Sequence, residues 1–111
     1  MTIVRPTQRI DLHVHSKYAG RFKLFVLNSL EVEECYTEPE DLYQTMMRRG
    51  MSMVTITDHD AIDGCLEIAH HGDHVFISEE VSARFPENGC IVHVCCYGIT
   101  EAQHEELQRL R

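Results

Sequence analysis

The sequence lacks any cluster of Lys and Arg residues, and this absence limits the kinds of partner it can have. Its 111 residues hold 18 Asp and Glu against 10 Lys and Arg, so the net charge is -8. Proteins that bind duplex nucleic acid normally present a basic stripe to the phosphates. We therefore predict no duplex nucleic acid partner. An acidic chain with eight histidines suits bound cations better.

Long apolar runs and paired cysteines are also absent. No run approaches the roughly 20 residues that span a bilayer, and residues 1–9 lack the apolar core of a signal peptide. We therefore predict no membrane partner. The five cysteines are irregularly spaced without a C-x-x-C pair, which favours reduced thiols in a cytoplasmic protein. Each is interpreted as a small buried apolar residue.

The hydrophobic pattern predicts several strands. Residues 10–15 alternate apolar and polar side chains, which is typical of a strand, and residues 51–57 are β-branched and apolar like a buried parallel strand. Residues 75–77 predict a third strand that ends at 78–80. Residues 81–85 and 90–96 flank a four-residue turn and predict a hairpin.

Helix signals separate these strands. A short helix is predicted over residues 62–69, and Gly50 is expected to end an earlier helix in the left-handed conformation. Residues 17–36 have no clean period, and we expect an irregular but ordered excursion there. Two helix starts resemble capping boxes: Thr37 with Glu40, and Thr100 with Gln103.

The order strand, helix, strand, helix, strand predicts an α/β fold. Parallel strands joined by right-handed helical crossovers are the usual solution for such an order, and here a β-hairpin follows them. The length fits a single small domain, 1–111.

Two groups of polar residues carry the candidate chemistry. His13 and His15 lie at i and i+2 of a predicted strand and so share a face with Asp11, an arrangement that can hold a divalent ion. An H-x-H pair is also often incidental. Asp58, His59 and Asp60 follow the buried strand, where α/β enzymes place reactive groups. The alternative is that Asp60 or Asp63 caps the next helix.

The predicted hairpin adds Glu80 and His93 to these candidates. If residue 85 pairs with 90, then 82 pairs with 93, and Glu80 and His93 become diagonal neighbours on one face. A carboxylate such as Glu80 can bridge two cations, although it can also be a simple solvated acid. Glu79 faces the other way and fits the solvated role better.

Four segments resemble, in order, the signature motifs of the PHP (polymerase and histidinol phosphatase) superfamily. They are DLHVHS at 11–16, TITDHDAIDG at 55–64, SEEVS at 78–82 and IVHVCCYG at 91–98. The resemblance implies a distorted (β/α)7 barrel with Zn, Mn or Fe ions that hydrolyse a phosphomonoester or phosphodiester by metal-activated water. It implies a phosphorylated small molecule or nucleotide as substrate. The metal ligands it implies are His13, His15, His59, Glu80 and His93, and the catalytic residues are Asp58, His59 and Asp60.

The resemblance also implies that this chain matches only the N-terminal part of such a domain. The later family motifs, a downstream His and a D-x-H, do not occur before Arg111. We therefore expect little activity from these 111 residues alone and self-association through exposed strand edges. The rival interpretations are a non-catalytic metal-binding module and an interaction domain with unliganded histidines. The sequence H-H-x-x-H at 70–74 is expected to lie away from the metal site.

Overall fold

A computed structural model describes residues 7–21 and 37–110. Residues 22–36 of the expected excursion lie outside this range. The described part contains three α-helices and one two-stranded antiparallel sheet: α1 (Pro39–Arg48), α2 (Asp63–Ile68), β1 (Ser78–Arg84), β2 (Ile91–Tyr97) and α3 (Glu101–Leu110). Short 3₁₀ turns lie at Lys17–Arg21 and Ala69–His71. Among the described residues, no helix is long and apolar enough to cross a membrane.

The predicted parallel strands and partial (β/α)7 barrel are wrong. Within 7–21 and 37–110, the only sheet is the antiparallel β1–β2 pair. Residues 10–15 form no strand. Residues 51–60 and 74–80 do run in the same direction, but they pair only at two isolated parallel bridges, Val54 with Val75 and His59 with Glu80. The central segment therefore follows the expected path without forming the expected ladder.

Threonine side chains account for the missing ladder. The Thr55 hydroxyl donates to the carbonyl of Phe76 at 2.7 Å. The Val14 amide donates to the Thr57 hydroxyl at 3.0 Å, and the Thr57 hydroxyl donates to the carbonyl of Val14 at 3.1 Å. Because side-chain oxygens take backbone partners, they compete with regular strand pairing. The β-branched residues that suggested a buried strand are thus the ones that interrupt it.

The predicted hairpin and its register are confirmed. In the β1–β2 pair, Glu80 lies opposite Cys95 and Ser82 lies opposite His93. The turn closes at Gly89, whose φ of +73° is a left-handed conformation that favours glycine. Because side chains alternate between faces, one face of the hairpin carries Glu80, Ser82, His93 and Cys95 together.

Helix ends agree with the sequence in part. The second capping box is confirmed, since the Gln103 amide donates to the Thr100 hydroxyl at 3.1 Å and the Thr100 amide donates to the Gln103 side chain at 2.9 Å. The first box is wrong: α1 starts at Pro39, its N-cap is Glu38, and no side chain caps it. Proline favours the first helical position, which moves the cap by one residue. Gly50 has the predicted left-handed φ of +80°.

The apolar core lies between α1, α2 and the segment 51–57. Its buried members are Tyr43, Met46, Val54, Ile56, Cys65 and Ile68. This core fixes the segment that leads directly into the Asp58-His59-Asp60 motif, so packing and site geometry are linked.

We predict that Ile56→Ala lowers the free energy of unfolding by about 2–5 kcal/mol, because it leaves a cavity in the core. Ile56 is 1% exposed. Leu66→Ala is the matched control, since Leu66 is 40% exposed and should lose much less. Urea denaturation of both variants measures the difference. Equal losses would show that the core does not lie where we describe it.

Candidate metal site

Three imidazole nitrogens converge on one carboxylate oxygen, Oε2 of Glu80. The distances are 3.3 Å from His13 Nε2, 3.4 Å from His15 Nε2 and 3.5 Å from His59 Nδ1. The histidines come from the 11–16 segment and from the end of the buried segment, and Glu80 lies on β1. Four of the five sequence-predicted ligands are therefore brought together, while their role as ligands stays a prediction.

The site opens to solvent on one side. The side chain of His13 is 60% exposed, whereas that of Glu80 is 9% exposed. The His15 ring stacks on the His59 ring at a centroid distance of 4.8 Å. Glu80 thus forms the floor of the cluster, and His13 lies at its entrance.

The electrostatics of the cluster favour a neutral His15. Burial, and then the neighbouring His59, lower the pKa of His15 below its ordinary value, although Glu80 acts in the opposite direction. Neutral imidazole is the form that binds metal ions. At neutral pH, His15 therefore offers a nitrogen lone pair.

The hairpin adds two side chains beside this cluster. The His93 ring lies 5.2 Å from the His59 ring, and His93 Nδ1 is 3.2 Å from the Ser82 hydroxyl. Cys95 forms a second three-residue group with His13 and Glu80, in which the potential ligand atoms lie within 4.8 Å of one another. The sequence interpretation missed Cys95 because it treated every cysteine as buried apolar packing. The predicted register already placed residue 95 opposite Glu80.

Asp58 lies behind the cluster and braces it. Its carboxylate accepts hydrogen bonds from the Ser16 amide at 2.6 Å and from the Ser16 hydroxyl at 2.5 Å. Burial raises the pKa of Asp58, while both Ser16 bonds act to lower it. A Cβ on Gly64 would lie only 3.0 Å from this carboxylate, so the glycine leaves the space that Asp58 fills. The predicted catalytic Asp58 is thus positioned to hold the 11–16 segment.

Asp60 joins the motif to the hairpin. Its amide donates to the Glu80 carbonyl at 3.0 Å, and its carboxylate accepts from the Ser82 amide at 3.0 Å. Its φ of +52° is a strained conformation for a non-glycine residue. The alternative that Asp60 or Asp63 caps α2 does not hold, because the N-cap is Ile62 and no side chain caps the helix. Asp11 in turn accepts a hydrogen bond from the His13 amide at 3.2 Å.

Glu79 is not the solvated acid that its position suggested. Its side chain is fully buried; it accepts a hydrogen bond from the Gln108 side-chain Nε2 at 2.8 Å and contacts His104 Nδ1 at 2.5 Å. Both partners lie on α3, which the sequence could not place in space. Glu79 therefore anchors α3 against β1, on the face opposite Glu80.

The second histidine group, at 70–74, has a different geometry. His71 Nε2 lies 2.7 Å from the Glu40 carboxylate, and His74 Nε2 lies 2.6 Å from the Tyr43 hydroxyl. Glu40, His70 and His71 are close enough to form a third potential metal group. However, 2.7 Å is a direct hydrogen-bond distance and is shorter than the roughly 3.4 Å between two tetrahedral ligands about 2.1 Å from one ion. A direct hydrogen bond between α1 and the 3₁₀ turn Ala69–His71 fits this distance better.

Comparison with known proteins finds a partial match to an uncharacterized archaeal protein. The chain is 34% identical over 59 residues to uncharacterized protein MJ1587 of Methanocaldococcus jannaschii; the match covers 53% of this chain and 33% of that protein. The match therefore spans about one third of the relative's length. No protein-family profile matches the chain, and no solved structure matches it.

Ser16→Ala should lower the free energy of unfolding by about 1–3 kcal/mol, because the buried Asp58 carboxylate loses a donor. Ser52→Ala is the control: Ser52 also receives a backbone hydrogen bond, from the Arg9 amide, but this bond is exposed, so the loss should stay within about 0.5 kcal/mol. Chemical denaturation compares the two variants. A similar small loss in both would contradict the bracing role of Asp58.

Proposed function

We propose that this chain binds a divalent metal ion at His15, His59 and Glu80 and that the ion serves phosphoester hydrolysis. The distances to Glu80 Oε2, 3.4 Å from His15 Nε2 and 3.5 Å from His59 Nδ1, carry the proposal. Two ligands bonded at about 2.1 Å in tetrahedral geometry lie about 3.4 Å apart. The donor set of neutral imidazole and carboxylate suits Zn and Mn.

The reaction type rests on the resemblance of the four segments to PHP motifs. A divalent ion bound at such a site supplies an acidified water and polarises phosphoryl oxygens. The residues of the chain position this chemistry: Asp58 holds the segment that carries His13 and His15, and Asp60 holds His59 against Glu80 on β1.

A phosphorylated small molecule or nucleotide is the substrate class that this site favours. The cluster opens at His13, and His93 is exposed beside it, so a small phosphate group has access from this side. The acidic net charge of -8 disfavours long polyanions by repulsion. The irregular cysteines support a cytoplasmic location.

A metal-binding module without catalysis is the second candidate. Lys17 favours this candidate. It lies close to the second histidine in sequence and has the charge to bind a substrate phosphate, but it donates to the Glu38 carboxylate on the protein surface at 3.1 Å instead.

Metal content tests the site first. We expect His15→Ala and His59→Ala each to weaken zinc binding by at least about tenfold. Even the loss of a residue that only supports a ligand lowers metal affinity by about tenfold or more, and these two residues are proposed ligands. The control is a variant with His70, His71 and His74 all replaced by Ala, which should retain wild-type binding. Titration against a zinc-responsive dye measures all three. Loss of binding only in the control variant would move the site to the 70–74 group.

Turnover tests the reaction. The wild type should hydrolyse a chromogenic phosphomonoester or phosphodiester slowly, only with added Zn or Mn, and His59→Ala should abolish this turnover because it removes a ligand. Metal binding without any turnover would favour the non-catalytic module. Turnover that survives both chelation and His59→Ala would contradict a metal-dependent mechanism.

A further inference from the structure

Cys95 faces the metal site, whereas its neighbour Cys96 does not. In the hairpin, Cys95 lies directly opposite Glu80, and Cys96 lies directly opposite Glu79. Directly opposed residues on one face have Cβ atoms about 4.5–5.5 Å apart. Since Glu80 forms the floor of the site and Glu79 is buried against α3, the two adjacent thiols occupy different chemical environments.

The surroundings of Cys95 contain two further donors. A ring nitrogen of His13, a Glu80 carboxylate oxygen and Cys95 Sγ lie within 4.8 Å of one another. Nitrogen or oxygen at about 2.1 Å and sulfur at about 2.3 Å from one tetrahedral ion lie about 3.6 Å apart. The three donors can therefore close on an ion if the group contracts by about 1.2 Å at most. The Tyr97 hydroxyl donates to the Leu12 carbonyl at 2.5 Å. This bond holds β2 against the segment that carries His13.

We propose that the Cys95 thiolate is a ligand of the metal site, acting with His13 and Glu80. This inference rests on the proposed metal-binding function. Glu80 belongs to both three-residue groups, His15–His59–Glu80 and His13–Glu80–Cys95, so its carboxylate lies between two adjacent ion positions.

A thiolate ligand changes which metal the site selects. Soft sulfur favours zinc, cobalt and cadmium, whereas oxygen-rich sites suit manganese and magnesium. On binding, the thiol releases its proton to solvent and the sulfur donates an electron pair to the ion. The ion at His13, Glu80 and Cys95 is therefore zinc in preference to manganese.

Cobalt substitution tests this assignment through a property other than activity. Co²⁺ bound to the wild type should show the near-ultraviolet charge-transfer absorption of a cobalt–thiolate bond. Cys95→Ser should lose this band, and Cys96→Ser should keep it. A variant with Cys35, Cys90 and Cys96 all replaced by Ser should also keep it, since Cys95 remains. Circular dichroism of each variant establishes that it is folded.

Zinc and manganese competition gives a second readout. In Cys95→Ser, the ratio of zinc affinity to manganese affinity should fall by at least about tenfold. In Cys96→Ser, this ratio should stay at the wild-type value. If cobalt binds the wild type without a thiolate band, the Cys95 assignment is wrong and the metal site stands. If cobalt binds neither the wild type nor any variant, the metal site itself fails and the assignment fails with it.

Discussion

The buried carboxylate of Asp58 is the constraint on which the site depends. It accepts hydrogen bonds from both the amide and the hydroxyl of Ser16, so it fixes the end of the segment that carries His13 and His15. The backbone carbonyl of Asp58 accepts a hydrogen bond from the Glu80 amide at 2.9 Å. A single residue therefore connects the two histidines of the first motif with the carboxylate of the third. Burial makes this arrangement demanding, because a buried carboxylate without its donors is strongly destabilising.

The hairpin shows what sequence reasoning predicts well. Its register follows from a turn that contains Gly89 and from strict alternation of side chains, and both signals are local. The capping box at Thr100 and Gln103 is likewise local and correct. Because the register fixed the partner of Glu80, the sequence also contained the position of Cys95, although the interpretation of cysteines as core residues concealed its relevance.

The failed expectations depend on contacts between distant segments. Thr55 and Thr57 have the β-branched character of strand residues, yet their hydroxyls bond to the neighbouring segments and interrupt the ladder. Glu79 was expected to be solvated, since no local pattern indicates that His104 and Gln108 of α3 reach it. Periodicity describes which face a side chain takes, but it does not describe what later covers that face. The motif residues nevertheless converge, because two parallel bridges suffice to align the segments that carry them.

The central claim is that His15, His59 and Glu80 hold a divalent ion. Anomalous diffraction from crystals grown with zinc, recorded on both sides of the zinc absorption edge, tests it most directly. The account predicts an anomalous peak about 2.1 Å from His15 Nε2, His59 Nδ1 and the Glu80 carboxylate. A peak confined to Glu40, His70 and His71, with none beside Glu80, would contradict it.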